Sequence, residues 1–108
     1  MPTLRFHAVS SEKFLTVYNS LIKELKIIFQ VPEDYFNIEI IKSEFISDGE
    51  IKDGFPLVEV CAFKREDNVQ DEAAKCISAH LRTAGYHDSE VYFTFPEKRY
   101  YYGNGEHY

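Results

Sequence analysis

One pattern is written twice along this chain, and it limits the fold more than any other feature. In the first half, Leu4, Phe6 and Ala8 alternate with Thr3, Arg5 and His7. A period of two marks a strand with one dry face and one polar face. Ser10 and Ser11 offer an N-cap to a helix in which Phe14, Val17, Tyr18, Leu21, Leu25 and Ile28 recur at helical spacing. Pro32 bounds that helix, because the residue before a proline is pushed out of helical geometry. A second strand follows over Phe36–Lys42, and Asp48-Gly49 and Asp53-Gly54 then mark turns. The order restarts there. Pro56–Phe63 reads as a strand, and Asn68, with Asp71 three residues on, can cap a helix carrying Val69, Ala73, Cys76, Ile77 and Leu81. Gly85 suits its left-handed C-terminal position, and Val91–Phe95 is the fourth strand.

A strand–helix–strand crossover makes its two strands parallel and right-handed, with the helix on one sheet face. The predicted fold is therefore α+β. It is a two-layer sandwich of two β-α-β units, with a four-stranded mixed sheet and two antiparallel helices on one face, and residues 1–108 form one domain. The other sheet face carries Thr3, Arg5, His7, Glu39, Glu59, Cys61, Tyr92 and Thr94. That mixture is too polar for a dry core and too apolar for an ordinary solvent face, so the sequence predicts self-association across it. The tail Tyr100–Tyr108 is turn-rich and aromatic, as expected of an arm that packs on a neighbour.

Composition removes several function classes. With 44% hydrophobic and 16% aromatic residues, the chain has the apolar surface that disordered chains lack. No apolar run reaches the ~18–20 residues of a membrane span, and the start MPTLRFHAVSSEKF has no signal-peptide core. A net charge of −6 argues against nucleic acid or an anionic membrane as partner, since phosphate is bound chiefly by Lys and Arg. The two cysteines, Cys61 and Cys76, form no CxxC and sit in apolar contexts, which predicts reduced, buried thiols and a cytoplasmic protein. His7, His80, His87 and His107 show no HxH or HExxH spacing, so no metal site is expected. No GxGxxG or GxxxxGK[ST] is present, so no nucleotide cofactor, and no cofactor of any kind, is expected.

A double β-α-β chain with proline directly after the first methionine resembles the tautomerase superfamily, including its macrophage migration inhibitory factor branch. The segments Met1-Pro2-Thr3-Leu4-Arg5-Phe6, Phe55-Pro56-Leu57-Val58-Glu59-Val60 and Asn104-Gly105-Glu106-His107-Tyr108 more closely resemble a bacterial family of tautomerase-like proteins known only as a domain of unknown function. The superfamily resemblance implies a homotrimer, and a catalytic N-terminal proline, freed by methionine removal, in a pocket at the subunit boundary. Pro2 matches that base, and Tyr92 matches a pocket tyrosine of the migration-inhibitory-factor branch. Two positions depart from that branch: Thr94 stands where it has an asparagine, and its pocket lysine falls near Val31. The nearest cations to replace that lysine are Lys64 and Arg65 at the end of the third predicted strand, or Arg5.

Proline is the one residue whose free N-terminus is a secondary amine. An α-amino group has a reference pKa of ~7.7–8.0, and burial lowers it towards neutrality, where a general base works best. Arg65, Lys64 or Tyr92 would supply charge or donors to the enolate oxygen. The expected function is thus a cofactor-independent keto–enol tautomerase or isomerase of a small 2-keto or 2-hydroxydienoate acid. The alternative is a non-catalytic oligomeric scaffold that binds a small ligand or a protein partner. Proline also simply suits the first position of a strand, as at Pro56. Arg5, Glu39 and Glu59 read as a structural ion-pair network on the uncovered face rather than as catalytic carboxylates.

Overall fold

The dry faces of four strands and two helices meet in one layer of side chains, and that layer sets the architecture. The structure, a computed structural model, describes residues 1–108. In chain order the elements are β1 (Thr3–His7), α1 (Ser11–Leu15), α2 (Tyr18–Phe29), β2 (Asn37–Ile41), β3 (Phe45–Ser47), β4 (Glu50–Lys52), β5 (Leu57–Cys61), α3 (Asp67–Thr83), β6 (Glu90–Thr94), β7 (Tyr102–Gly103) and β8 (Glu106–His107). Short 3₁₀ turns occupy Glu33–Tyr35 and Lys98–Tyr100. The main sheet has four strands in the order β2-β1-β5-β6. Pairing is parallel within each half and antiparallel at the central β1–β5 seam. This is the predicted mixed sheet of two β-α-β units.

Leu4 and Phe6 of β1 and Val58 and Val60 of β5 are fully buried against Leu21 and Leu25 of α2 and Ile77 and Leu81 of α3. Both helices therefore cover the same sheet face, and the opposite face is left open. Across that open face, Glu39, Arg5, Glu59 and Tyr92 stand in one register row over the four strands.

Two local differences from the sequence expectation have physical causes. The first helix is broken after Leu15, with α2 restarting at Tyr18. Thr16 causes the break: its hydroxyl and its N–H both donate to the Lys13 carbonyl, at 2.6 and 3.2 Å, closing a tight turn. Threonine back-bonding of this kind bends helices, and here it keeps both Phe14 and Val17 in the core. Ser10 is the N-cap as expected, accepting from the Lys13 N–H at 3.1 Å. In the second half α3 begins at Asp67, so Asn68 lies inside the helix and does not cap it. Glu66 is the N-cap residue, and its backbone carbonyl takes the first helical bonds from Val69 and Gln70.

The tail is folded too. It forms the β7–β8 hairpin, turned at Asn104 and Gly105, both with positive φ. The same left-handed pair, Asp48 and Gly49, turns β3 into β4, as two-residue hairpins require. Tyr101 and Tyr108 pack on Phe63 of the same chain at ring-centroid distances of 5.2 and 5.4 Å. The tail is thus anchored on its own chain, while Tyr100 and Tyr102 point outward.

Candidate functional site

Pro2 enters β1 on the helix side of the sheet, in step with Leu4 and Phe6, and is fully buried. Its carbonyl accepts from the Asn37 N–H at 3.0 Å, which ties the start of β1 to β2. The antiparallel register pairs Thr3 with Cys61, so Pro2 lies across from Ala62. The start of β1 and the segment Phe63-Lys64-Arg65 therefore share one end of the sheet. The Met1 ammonium donates to the Tyr35 carbonyl at 3.0 Å. With Met1 attached, the Pro2 nitrogen is an amide and has no basic lone pair.

Arg65 and Lys64 are held at that end by aromatic faces. The Arg65 guanidinium stacks 4.9 Å from the Phe29 ring centroid and donates to the Phe63 carbonyl at 2.9 Å. Burial lowers its pKa below the usual arginine value, yet a guanidinium remains charged at any physiological pH. The Lys64 ammonium lies 5.6 Å from the Phe95 ring centroid. Between these groups, Phe29, Ala62, Arg65 and Phe93 line a cavity of about 10 Å³. That is space for roughly one water molecule. A carboxylic acid substrate needs more room than one chain provides here.

Tyr92 is placed elsewhere. It stands on the open sheet face, where its hydroxyl donates to Glu59. The other Glu59 carboxylate oxygen pairs with His7 Nε2 at 2.8 Å. The hydrogen bond from His7, followed by that from Tyr92, holds the Glu59 carboxyl below its ordinary pKa. Reciprocally, the bond to Glu59 raises the Tyr92 hydroxyl pKa. Arg5 Nε approaches Glu39 at 3.4 Å in the same row. Within one chain, then, Pro2, Lys64 and Arg65 come to one sheet end, while Tyr92 joins Glu59 and His7 on the open face.

The sequence also missed two features. His7 was placed on the polar face, but its diagonal bond to Glu59 depends on the β1–β5 register, which no spacing reveals. The largest cleft, about 630 Å³, lies under the β3–β4 hairpin at the far end of β1. Lys13, Glu44, Phe45, Lys52 and Tyr86 help to line it, and it includes neither Pro2 nor Arg65. Its size suits a small ligand.

The sequence profile described as "Domain of unknown function (DUF1904)" matches residues 1–107. The chain belongs to the DUF1904 family. A DUF1904 protein from Sebaldella termitidis superposes with a TM-score of 0.91 over 100% of both chains, at 28% identity. The macrophage migration inhibitory factor-like protein of Entamoeba histolytica gives a TM-score of 0.70 at 12% identity, covering 99% of this chain and 98% of that one. A fused 4-OT solved as an asymmetric trimer gives 0.71 at 12% identity, over 97% and 94%. No curated protein matches the chain in sequence. The DUF1904 fold is thus the tautomerase-superfamily fold. No helix is long and apolar enough to cross a membrane.

Proposed function

We propose that this DUF1904 chain is a cofactor-independent keto–enol tautomerase or isomerase of a small 2-keto or 2-hydroxydienoate acid. It works as a cytoplasmic homotrimer, with Pro2 as general base once Met1 is removed and Arg65, with Lys64, as the carboxylate-binding cations. One observation carries this reading. The antiparallel β1–β5 register brings Pro2 to the sheet end at which Arg65 is already held and partly stripped of water. A desolvated guanidinium binds a carboxylate more strongly than one in bulk water. A buried amine at the start of a strand would have its pKa lowered towards neutrality and its position fixed. It would take a proton from the carbon next to the substrate carbonyl and return it at the other end of the enolate, with no net change in oxidation state.

The trimer completes the site. The cavity beside Arg65 is about 10 Å³, so the remaining wall of a substrate pocket would come from a neighbouring subunit, and Tyr92 would reach a substrate only across such a boundary. The trimeric 4-OT neighbour supports that assembly. Both cysteines are free thiols, which suits a reducing compartment. The test is ketonisation of a phenylpyruvate-like enol by protein whose mass shows Met1 loss. Pro2→Ala is expected to cost about 10²–10⁴-fold in rate. Arg65→Ala is expected to raise KM for acids more than for neutral ketones.

A second reading, a non-catalytic scaffold that binds a ligand or protein partner, draws on one specific observation. The Met1 ammonium is anchored on Tyr35 and Pro2 is fully buried, an arrangement that serves strand closure alone. Equal turnover by Met1-free protein and Pro2→Ala would select this scaffold.

A further inference from the structure

On the outer layer, away from the open sheet face, α2 and α3 bring together three side chains of unlike chemistry. Cys76 and His80 are four residues apart on α3 and so share one face of it. Glu24 reaches them from α2. The Cys76 thiol donates to Glu24 Oε2 at 3.1 Å, and His80 Nε2 lies 3.7 Å from the same oxygen. One donor atom from each residue falls within 4.8 Å of the others. A tetrahedral zinc ion, with bonds of ~2.3 Å to sulfur and ~2.0–2.2 Å to nitrogen and oxygen, holds its ligand atoms about 3.3–3.7 Å apart. The separations of 3.1 and 3.7 Å to Glu24 Oε2 lie close to that range, and the His80 ring stands 3.7 Å from the Cys76 sulfur at Nδ1, so ligation through Nε2 would need the ring to turn.

The imidazole is already set for such a role. His80 Nδ1 lies 2.8 Å from the Cys76 backbone carbonyl. A carbonyl only accepts, so Nδ1 carries the proton and Nε2 keeps its lone pair. Nε2 has the Ser20 hydroxyl 3.1 Å away and the Glu24 carboxylate at 3.7 Å. A ring N–H bound to a backbone carbonyl is the usual outer support of a metal-ligating histidine. The sequence search for HxH and HExxH could not find this group, since its third member lies 52 residues before Cys76.

We propose that Glu24, Cys76 and His80 form a three-ligand site for one zinc-class divalent cation that clamps α2 to α3. Sulfur and imidazole donors select zinc, cobalt or a similar ion over magnesium or calcium. Binding replaces the thiol S–H bond by a sulfur–metal bond, and the proton leaves to solvent. Three protein ligands leave the fourth position to water, and Glu24, 56% exposed, lies on the solvent side through which the ion enters.

The experiment uses the full untagged chain and Co²⁺ as probe. Titration should produce tetrahedral d–d bands and a thiolate-to-cobalt charge-transfer band that saturate at one ion per chain. Excess zinc should displace them, and zinc should raise the melting temperature in a concentration-dependent way. Glu24→Gln, at an exposed position, should fold normally and weaken zinc binding at least about tenfold, since it replaces an anionic ligand by a neutral one. Cys76→Ser should lose the charge-transfer band, and Cys61→Ser should keep it. Absence of the band in the wild type would overturn the site, and so would its survival in Cys76→Ser or its loss in Cys61→Ser. Unchanged zinc affinity in Glu24→Gln would remove the carboxylate from it.

Discussion

Glu59 ties three strands together on the open sheet face, so removing its carboxylate tests that face directly. One oxygen pairs with His7 and the other takes the Tyr92 hydroxyl. His7 and Glu59 side chains are 25% and 26% exposed. The pair therefore falls between a surface ion pair, worth about 0.2–1 kcal/mol, and a hydrogen bond to a charged group in a drier setting, worth about 1.5–3 kcal/mol. A double-mutant cycle of His7→Ala and Glu59→Ala, followed by urea unfolding at neutral pH, should give a coupling of about 1 kcal/mol. The sign of the pH dependence follows from the lowered carboxyl pKa. A group whose pKa is depressed on folding contributes its stability above the unfolded value and loses it as pH falls through the folded value. The stability gap between wild type and Glu59→Gln should thus be level above about pH 4.5, the ordinary value, and shrink below it. A coupling under about 0.2 kcal/mol, or a gap that widens in acid, would refute the assignment of these contacts to Glu59.

Three further outcomes are expected. Leu81→Ala, at a position 1% exposed in the core, should cost about 2–5 kcal/mol and lower the melting temperature by roughly 10–30 °C; a loss under about 0.5 kcal/mol would mean that α3 does not pack as described. In metal-free folded protein, Cys76 should resist alkylation near neutral pH, because burial, with Glu24 beside it, pushes its thiol up to about 12; mass spectrometry showing rapid native labelling at Cys76 would contradict this. Pro2→Ala and Pro56→Ala should have similar effects on stability, measured by urea unfolding, whereas only Pro2→Ala should reduce tautomerisation.

Much of this fold was legible because its signals are local. The period-two runs at Leu4-Phe6 and Val58-Val60 and the helical stripe ending in Leu81 each name a buried face without reference to any other segment. Gly85, with φ +108 where the chain leaves α3, is a stop legible from one residue, whereas α2 ends on Gln30 in the left-handed region, ahead of the boundary that Pro32 marks. The break at Thr16 was not legible, since a threonine hydroxyl that bonds back to the preceding turn leaves the apolar spacing intact. The site was legible only in its parts. Pro2, Lys64 and Arg65 stand out by residue type, but their common location depends on antiparallel pairing of two distant strands. His80 and Glu24 meet across a helix interface that no single-segment pattern encodes.

The internal repeat also shows why a proline at a strand start is weak evidence taken alone. Pro2 and Pro56 are both buried, each immediately before the first strand of its half. The Pro2 carbonyl accepts from Asn37 N–H and the Pro56 carbonyl from Glu90 N–H, both at 3.0 Å. The two prolines thus do the same structural work, closing the start of each parallel pair with a residue that has no N–H to leave unpaired. They differ in what precedes them. Phe55 precedes Pro56 and Met1 precedes Pro2. In the first half the antiparallel seam sets Arg65 at the same sheet end as the strand-opening proline. One cleaved peptide bond would turn the symmetric structural role into an asymmetric chemical one.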